Sequence, residues 1–386
     1  MRDITISENV VYIGDDDKDL DLFESQYIVP NGMAYNSYVI LDDKIAVIDT
    51  ADHRVTGEWL ANLEGALAGR KPDYLIMDHV EPDHSGSIAA LLEKYPETVL
   101  VGNAKTFQFV DQFFAGLGGE RMTVKEGDVL ELGSHRLTFY MAPMVHWPEV
   151  MVSYESSEKI LFSADAFGKF GTLDTDEDWA CEARRYYFNI CGKYGAQVQA
   201  LLKKAAGLDI AMILPTHGPL LKENLGYYVG LYDTWSKYEP EVTGIFIACA
   251  SIHGNTLKAA EKLKEMLEAK GAEKVSLSDL TRDDLAEGIE DAFKYDRLVI
   301  MSASYDGGVF PIMEDFLCHL KAKAYQNRKI AVVENGSWAP SAGRVIKGYI
   351  EGLKNVTLVE PVVTIRSALT PESEAKLAEL ADALVK

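Results

Sequence analysis

From about residue 243 onward, strand-like and helix-like segments alternate without a break: strands 243–250, 273–278, 296–301, 328–334 and 356–364, helices 255–269, 282–292, 311–321, 342–353 and 371–385. A strand followed by a helix, repeated, leaves parallel pairing as the economical arrangement and places helices on both faces of one sheet. The rhythm starts after Tyr238-Glu239-Pro240-Glu241, a polar, Pro-containing stretch that reads as a domain boundary. The expected domains are therefore 1–240 and 241–386.

The first domain has a different pattern. Runs 35–41 and 44–50 flank Asp42-Asp43 like a hairpin, and 73–78, 98–102, 136–142, 159–163 and 210–214 read as further strands. Apolar spacing predicts helices over 56–69, 85–94, 182–205 and 220–237. The fold class is α/β multidomain.

Charge narrows the functions open to such a chain. Lys and Arg number 38 against 60 Asp and Glu in 386 residues, a net charge of −22. That field repels phosphate backbones, so nucleic acid is not an expected partner. No run approaches 18 uninterrupted apolar residues and the amino end lacks the apolar core of a signal peptide, so a cytoplasmic protein without membrane attachment is expected. Cys181, Cys191, Cys249 and Cys318 form no C-x-x-C pair, which argues against a disulfide framework and for reduced, buried thiols.

The densest chemistry lies in Asp78-His79-Val80-Glu81-Pro82-Asp83-His84-Ser85-Gly86, directly after a strand. This H-x-E-x-D-H run resembles the metal loop of the metallo-β-lactamase fold, and His146, Asp165 and His217 follow in the order of that fold's remaining ligands, each at a strand end. The resemblance implies His79, Glu81 and His146 around one ion, Asp83, His84 and His217 around a second, and Asp165 between them. Hydrolases of this fold commonly carry a second His where this chain has Glu81. Oxygen-rich N/O ligation without thiolate suits iron or manganese, zinc also accepts His and carboxylate, and two iron ions are the favoured expectation. His53, His135 and His319 have no companion ligands in the sequence.

In the second domain Ser251-Ile252-His253-Gly254-Asn255-Thr256 joins a strand to a helix, a place where backbone N–H groups and the helix dipole hold a phosphate. The segment has neither G-K-[ST] nor G-x-G-x-x-G, and it resembles the flavodoxin phosphate loop S/T-x-x-G-N-T, which implies FMN. Two later loops fall where a flavodoxin-like sheet places its ring-binding segments: Ser302, Ala303, Ser304, Tyr305, Asp306, Gly307 and Gly308, then Ser337 and Trp338.

A metal-binding metallo-β-lactamase-like αββα sandwich followed by a flavodoxin-like doubly wound parallel sheet resembles the flavodiiron proteins over nearly the whole chain. His146-Trp147-Pro148-Glu149 and His217-Gly218-Pro219 add to the likeness. The family implies an oxidoreductase reducing dioxygen to water, nitric oxide to nitrous oxide, or both, at a diiron site. Electrons come through FMN from a rubredoxin or a flavin-linked reductase, in a head-to-tail homodimer or a dimer of dimers. The reading from another class is a binuclear zinc hydrolase, of thioesterase or lactonase type, fused to a flavodoxin domain. Tyr194 and the Arg184-Arg185-Tyr186-Tyr187 run lie between Asp165 and His217 in sequence, and no catalytic residue beyond the metal ligands is assigned.

Overall fold

The computed structural model describes residues 4–386. The chain forms two compact units, dividing between Asp233 and Thr234. That point lies inside the helix Leu225–Ser236, a little before the Pro-containing stretch used to divide the sequence.

The first unit is a sandwich of two sheets. One has six strands in the order Val10–Tyr12, Tyr38–Ile40, Ala46–Ile48, Tyr74–Ile76, Val99–Gly102, Arg121–Thr123. The other has five, Val129–Glu131, Arg136–Met141, Met151–Glu155, Ile160–Phe162, Met212–Leu214. Ile40, Ile48, Ile76 and Val101 from the first meet Leu137, Phe139, Ile160 and Phe162 from the second in one buried cluster. Each such side chain contributes about 1.5–3 kcal/mol relative to exposure. The helix Thr56–Leu67 buries Trp59, Leu63 and Leu67, one face at four-residue spacing.

Sheet register sets where the polar loops emerge. Ile160 pairs with Met212 and Phe162 with Leu214 in parallel, so Asp165 and His217 leave the same sheet edge at equal distances along their strands. Ala46–Ile48 and Tyr74–Ile76 are also parallel neighbours, which sends Asp49 and the Asp78–His84 loop out together. Arg136–Met141 and Met151–Glu155 run antiparallel, and the turn between them carries His146 and Glu149.

The second unit has a parallel sheet in the order Val275–Asp279, Val242–Ala250, Tyr295–Tyr305, Lys329–Asn335, Thr357–Ile365. This is the flavodoxin-like order, with the first strand of the domain between the second and third. Alternate residues Ile245, Ile247 and Cys249, with Val299, Met301, Ala331 and Val333, pack on Leu263 and Leu267 of one helix and on Leu377 and Leu380 of another.

Three expectations fail on particular elements. The predicted helix 182–205 is broken into an α-helix Trp179–Tyr186, a π-helical turn Tyr187–Cys191, a 3-10 turn and a second α-helix Gly195–Ala205. The strand Met151–Glu155 lies outside the expected elements, and its alternate polar residues Ser153 and Glu155 are buried along with Met151, Val152 and Tyr154. The cysteines are not all buried: Cys318 is exposed and Cys181 half-buried.

Candidate metal centre and cofactor cleft

The loop after Tyr74–Ile76 is held from behind. Asp49 is buried with φ +50°, and its Oδ1 accepts from the main-chain N–H of Asp78 at 2.9 Å and of His79 at 3.2 Å. Thr50 Oγ1 donates to the carbonyl of His84 at 2.7 Å, and Ser85 Oγ to that of Val80 at 2.8 Å. Pro82 starts the short helix Pro82–Ser85, whose preset φ costs no hydrogen bond at a first helical position and which carries Asp83 and His84.

All seven residues singled out in the first domain converge. His79, Glu81, His146 and Asp165 form one group and Asp83, His84 and His217 a second, each with donor atoms within 4.8 Å of one another. Asp165 faces both. Its Oδ2 lies 3.1 Å from His146 Nε2 and 3.4 Å from His79 Nε2, and its Oδ1 lies 2.9 Å from His84 Nε2 and 3.7 Å from His217 Nε2. Glu81 Oε2 is 3.2 Å from His79 Nε2 and 3.1 Å from His146 Nε2. Asp83 Oδ2 is 3.3 Å from His84 Nε2 and 3.2 Å from His217 Nε2.

Two donors bound about 2.0–2.2 Å from one ion stand about 2.8–3.6 Å apart at octahedral to tetrahedral angles, and most of these separations fall in that range. The second observation is a set of stranded atoms. Among the described residues Asp83 Oδ1 and His84 Nδ1 are buried without a hydrogen-bond partner, and Asp83 Oδ2, His84 Nε2, Asp165 Oδ2 and His217 Nε2 are buried with no well-directed hydrogen bond, facing only the other groups of the clusters. Such atoms are costly unless something neutralises them, and a pair of divalent cations would do so against three carboxylates. The residues therefore fit a pair of metal ions.

Electrostatics agree. Burial disfavours a charged His79, yet the carboxylates of Asp165, Glu149 and Glu81 hold its proton well above the ordinary imidazole range. His84 and His146 are also buried, and their carboxylate neighbours push both up to about 9. Glu81 and Asp165 lie below the usual carboxylate range, since the facing imidazoles outweigh their burial. Protons bridge these groups where cations would.

Some surrounding residues were missed in the sequence. Glu149 Oε1 is 2.7 Å from His79 Nδ1, and His217 Nδ1 is 2.7 Å from the carbonyl of Ala34. Phe23, Tyr35 and Tyr186 ring His217 with centroids at 5.5, 5.9 and 5.6 Å. Tyr186 and Tyr187 of the Arg184–Tyr187 run both lie beside His146 and Asp165, and burial keeps the Tyr186 phenol well above its usual pKa. Tyr194 lines an outer groove with Met144, His146 and Trp147. Of the three histidines set aside, His53 is exposed. His135 is bracketed by Asp42 at 2.7 Å and Glu158 at 3.2 Å, and His319 lies 3.5 Å from Asp315.

The second unit has a cleft of about 530 Å³ at the carboxyl edge of its sheet, within the usual range for cofactor sites. Ser251, Ile252, His253, Asn255 and Thr256 line one end, Ala303–Gly307 the middle, and Asn335–Ala339 with Ser341 and Ser367 the other. Gly254 does not line it but makes the turn: at φ +82° it starts the helix Asn255–Ala269, whose first N–H groups have no side-chain cap. Ser251 Oγ is buried and unpartnered beside them. An anionic group is what such a loop lacks, and the residues fit the phosphate of a flavin mononucleotide. Ser302 is fully buried and turned onto the carbonyl of Ala303, and Gly308 is paired in a two-residue strand, so neither faces the cleft. Ser367, absent from the sequence reading, enters because Asn335 bonds its carbonyl at 2.8 Å. Trp338 is 87 % exposed at the rim.

Comparison with known proteins adds three kinds of likeness. Residues 33–218 match the model of the ODP family beta lactamase. The nitric oxide reductase of Moorella thermoacetica is 27 % identical over 94 % of this chain and 93 % of its own length. Two solved structures superpose along nearly the whole chain. The rubredoxin oxygen:oxidoreductase of the anaerobe Desulfovibrio gigas has a TM-score of 0.92 at 24 % identity, over 99 % of this chain and 97 % of that one. The flavodiiron protein of Giardia intestinalis has 0.91 at 22 %, over 100 % and 97 %. The chain spans about two fifths of the length of the diflavin flavoproteins of Synechocystis, with 34 % identity over 62 % of this chain and 42 % of the relative for one of them. Among the described residues no helix is long and apolar enough to cross a membrane.

Proposed function

We propose that this chain, which belongs with the flavodiiron proteins in fold, domain order and motif order, is an oxidoreductase that reduces dioxygen to water, nitric oxide to nitrous oxide, or both. The observation that carries the reading is Asp165, whose two oxygens face two separate His/carboxylate groups. A carboxylate so placed is suited to join two ions, and mixed N/O donors without thiolate suit iron.

His79, Glu81 and His146 would hold one iron, Asp83, His84 and His217 the other, and Asp165 both. When bound, such a pair supplies electrons and Lewis acidity to a small oxidant, and FMN supplies two-electron storage. The balances are O₂ + 4e⁻ + 4H⁺ → 2H₂O and 2NO + 2e⁻ + 2H⁺ → N₂O + H₂O. The chain's own part is to position and to keep dry. Phe23, Tyr35 and Tyr186 close off the His217 side from water, and the Asp49 and Thr50 bonds fix the loop that bears four of the donors. In the second unit the amino end of Asn255–Ala269 would seat the flavin phosphate, with Tyr305 and Trp338 beside the ring. With one site in each unit, a head-to-tail homodimer would bring the flavin of one subunit to the metals of the other, and a rubredoxin or flavin-linked reductase would supply the electrons.

The test is anaerobic: purified protein is analysed for metal and flavin, reduced with an artificial donor, and exposed in parallel to dioxygen and to nitric oxide. Two irons and one FMN per chain with rapid consumption of either gas are expected. Two zincs and no flavin absorbance, with thioester or lactone hydrolysis, would replace this reading with a hydrolase.

A further inference from the structure

The four histidines of the metal clusters are not supported alike. His79 rests on a charged group: Glu149 Oε1 accepts from His79 Nδ1 at 2.7 Å and from the main-chain N–H of Val80 at 3.2 Å. His217 rests on a neutral one, the carbonyl of Ala34. His84 Nδ1 has no partner among the described residues. For His84, His146 and His217 every carboxylate within ion-pair distance lies on the Nε2 side, toward the clusters.

Glu149 is itself firmly placed. Its side chain is fully buried, its main-chain carbonyl accepts from Asn103 Nδ2 at 2.5 Å, and Asn103 also caps the helix Ala104–Phe113. Its Oε2 has no hydrogen-bond partner among the described residues. A carboxylate this far from solvent is costly unless it acts on a neighbour, and its nearest cationic or dipolar neighbours are His79 and the main chain of the same loop. A carboxylate behind a ligating imidazole fixes which nitrogen faces the metal and raises the basicity of that ligand.

We propose that Glu149 is a positioning residue that makes the two metal positions unequal: it commits His79 to presenting Nε2 and sets a carboxylate in direct hydrogen bond behind a ligand of the His79/Glu81/His146 position, where no ligand of the other position has one among the described residues. The inference rests on the reading that both clusters hold metal. The ion held with His79 is the more tightly retained of the two, and the one at Asp83/His84/His217 leaves first.

The test compares wild-type iron-loaded protein with Glu149→Gln, which keeps an acceptor for His79 Nδ1 but removes the charge, and with Glu149→Ala, which removes both. Iron release into a fixed excess of chelator is followed with time, and the ⁵⁷Fe-loaded proteins are examined by Mössbauer spectroscopy. Wild type should release its metals in two phases. Glu149→Gln should speed the slow phase by about 10–100-fold, leave the fast phase unchanged and shift one of two quadrupole doublets. Glu149→Ala should be isolated with less iron than Glu149→Gln. Release of both wild-type metals with one rate constant would overturn the proposal. So would wild-type release from Glu149→Gln, or equal acceleration of both phases, which marks a general loosening of the fold. These readouts follow metal retention and not turnover, so a protein that binds two irons but reduces neither gas would fail the functional reading and leave this one standing.

Discussion

At the metal centre the groups facing inward are charged side chains, all buried except the half-buried Glu81, while the cleft of the second unit offers main-chain amides, glycines, hydroxyls and two rings, of which Tyr305 is 45 % and Trp338 87 % exposed. The difference governs how each can fail. In the first, every donor faces another donor, so deleting one strands the rest in a low-dielectric interior. In the second, anchoring is spread over backbone N–H groups that no single substitution removes.

The largest expected effect is at Asp165. Asp165→Ala should lose both metals and reduce gas consumption to background, while FMN absorbance per chain stays at the wild-type value. Loss of the flavin as well would break the separation between the two regions. Asp165→Asn, which keeps the shape, should also lose metal but with less cost to folding, so iron content measured on both variants separates ligation from structure.

A second effect concerns pH. In the metal-free protein His84 and His146 hold protons up to about 9, because the surrounding carboxylates outweigh burial. A metal must displace those protons. Affinity therefore falls as pH drops below about 9, by up to tenfold per unit for each proton displaced, and His79, whose proton is also held well above the ordinary imidazole range, adds to the slope. Glu81 and Asp165, held low, stay ionised throughout and add no slope there. Metal-uptake titrations between pH 6 and pH 9.5 on the apoprotein, with a chelator of known pH dependence, check this; a flat profile contradicts the proton-bridged description of the empty clusters (the pH limits being about those of the ordinary and raised imidazole pKa values).

The smallest effect is at the cleft. Trp338→Ala removes an exposed ring that makes one face of the site, worth about 0.5–1.5 kcal/mol, so FMN affinity should weaken by no more than about tenfold. Fluorescence titration of the flavin-free protein measures it. A loss of hundredfold or more would mean that the cleft depends on a single residue as strongly as the metal centre does.

What the sequence made legible follows from the same physics. His79 to His84 stand close together along the chain, and the remaining donors end strands whose apolar runs are clear, so residue identity and order pointed at one site. Glu149 could be quoted from its motif, but its place behind His79 depends on a turn meeting a loop seventy residues earlier, as the sequence separation of the 2.7 Å contact shows. Asp49 is likewise visible only once two parallel strands are set side by side. The strands between Val10 and Tyr35 are two or three residues long, too short for a period-two signal. The break at Tyr187–Cys191 is buried beside His146 and Asp165 and runs into Gly192 and Gly195, so packing together with two helix-weakening glycines interrupts the helix. In the regular second unit, by contrast, the strand and helix periods alone gave nearly every element, and the misses are single residues such as Ser302 and Ser367.

The account stands on two ions sharing Asp165. Anomalous difference maps collected on either side of the iron absorption edge, from crystals of the protein purified without added metal, test this directly. Two iron peaks about 3.5–4 Å apart, one on each oxygen of Asp165, are predicted. A single peak, or peaks that persist only at the zinc edge, would contradict it.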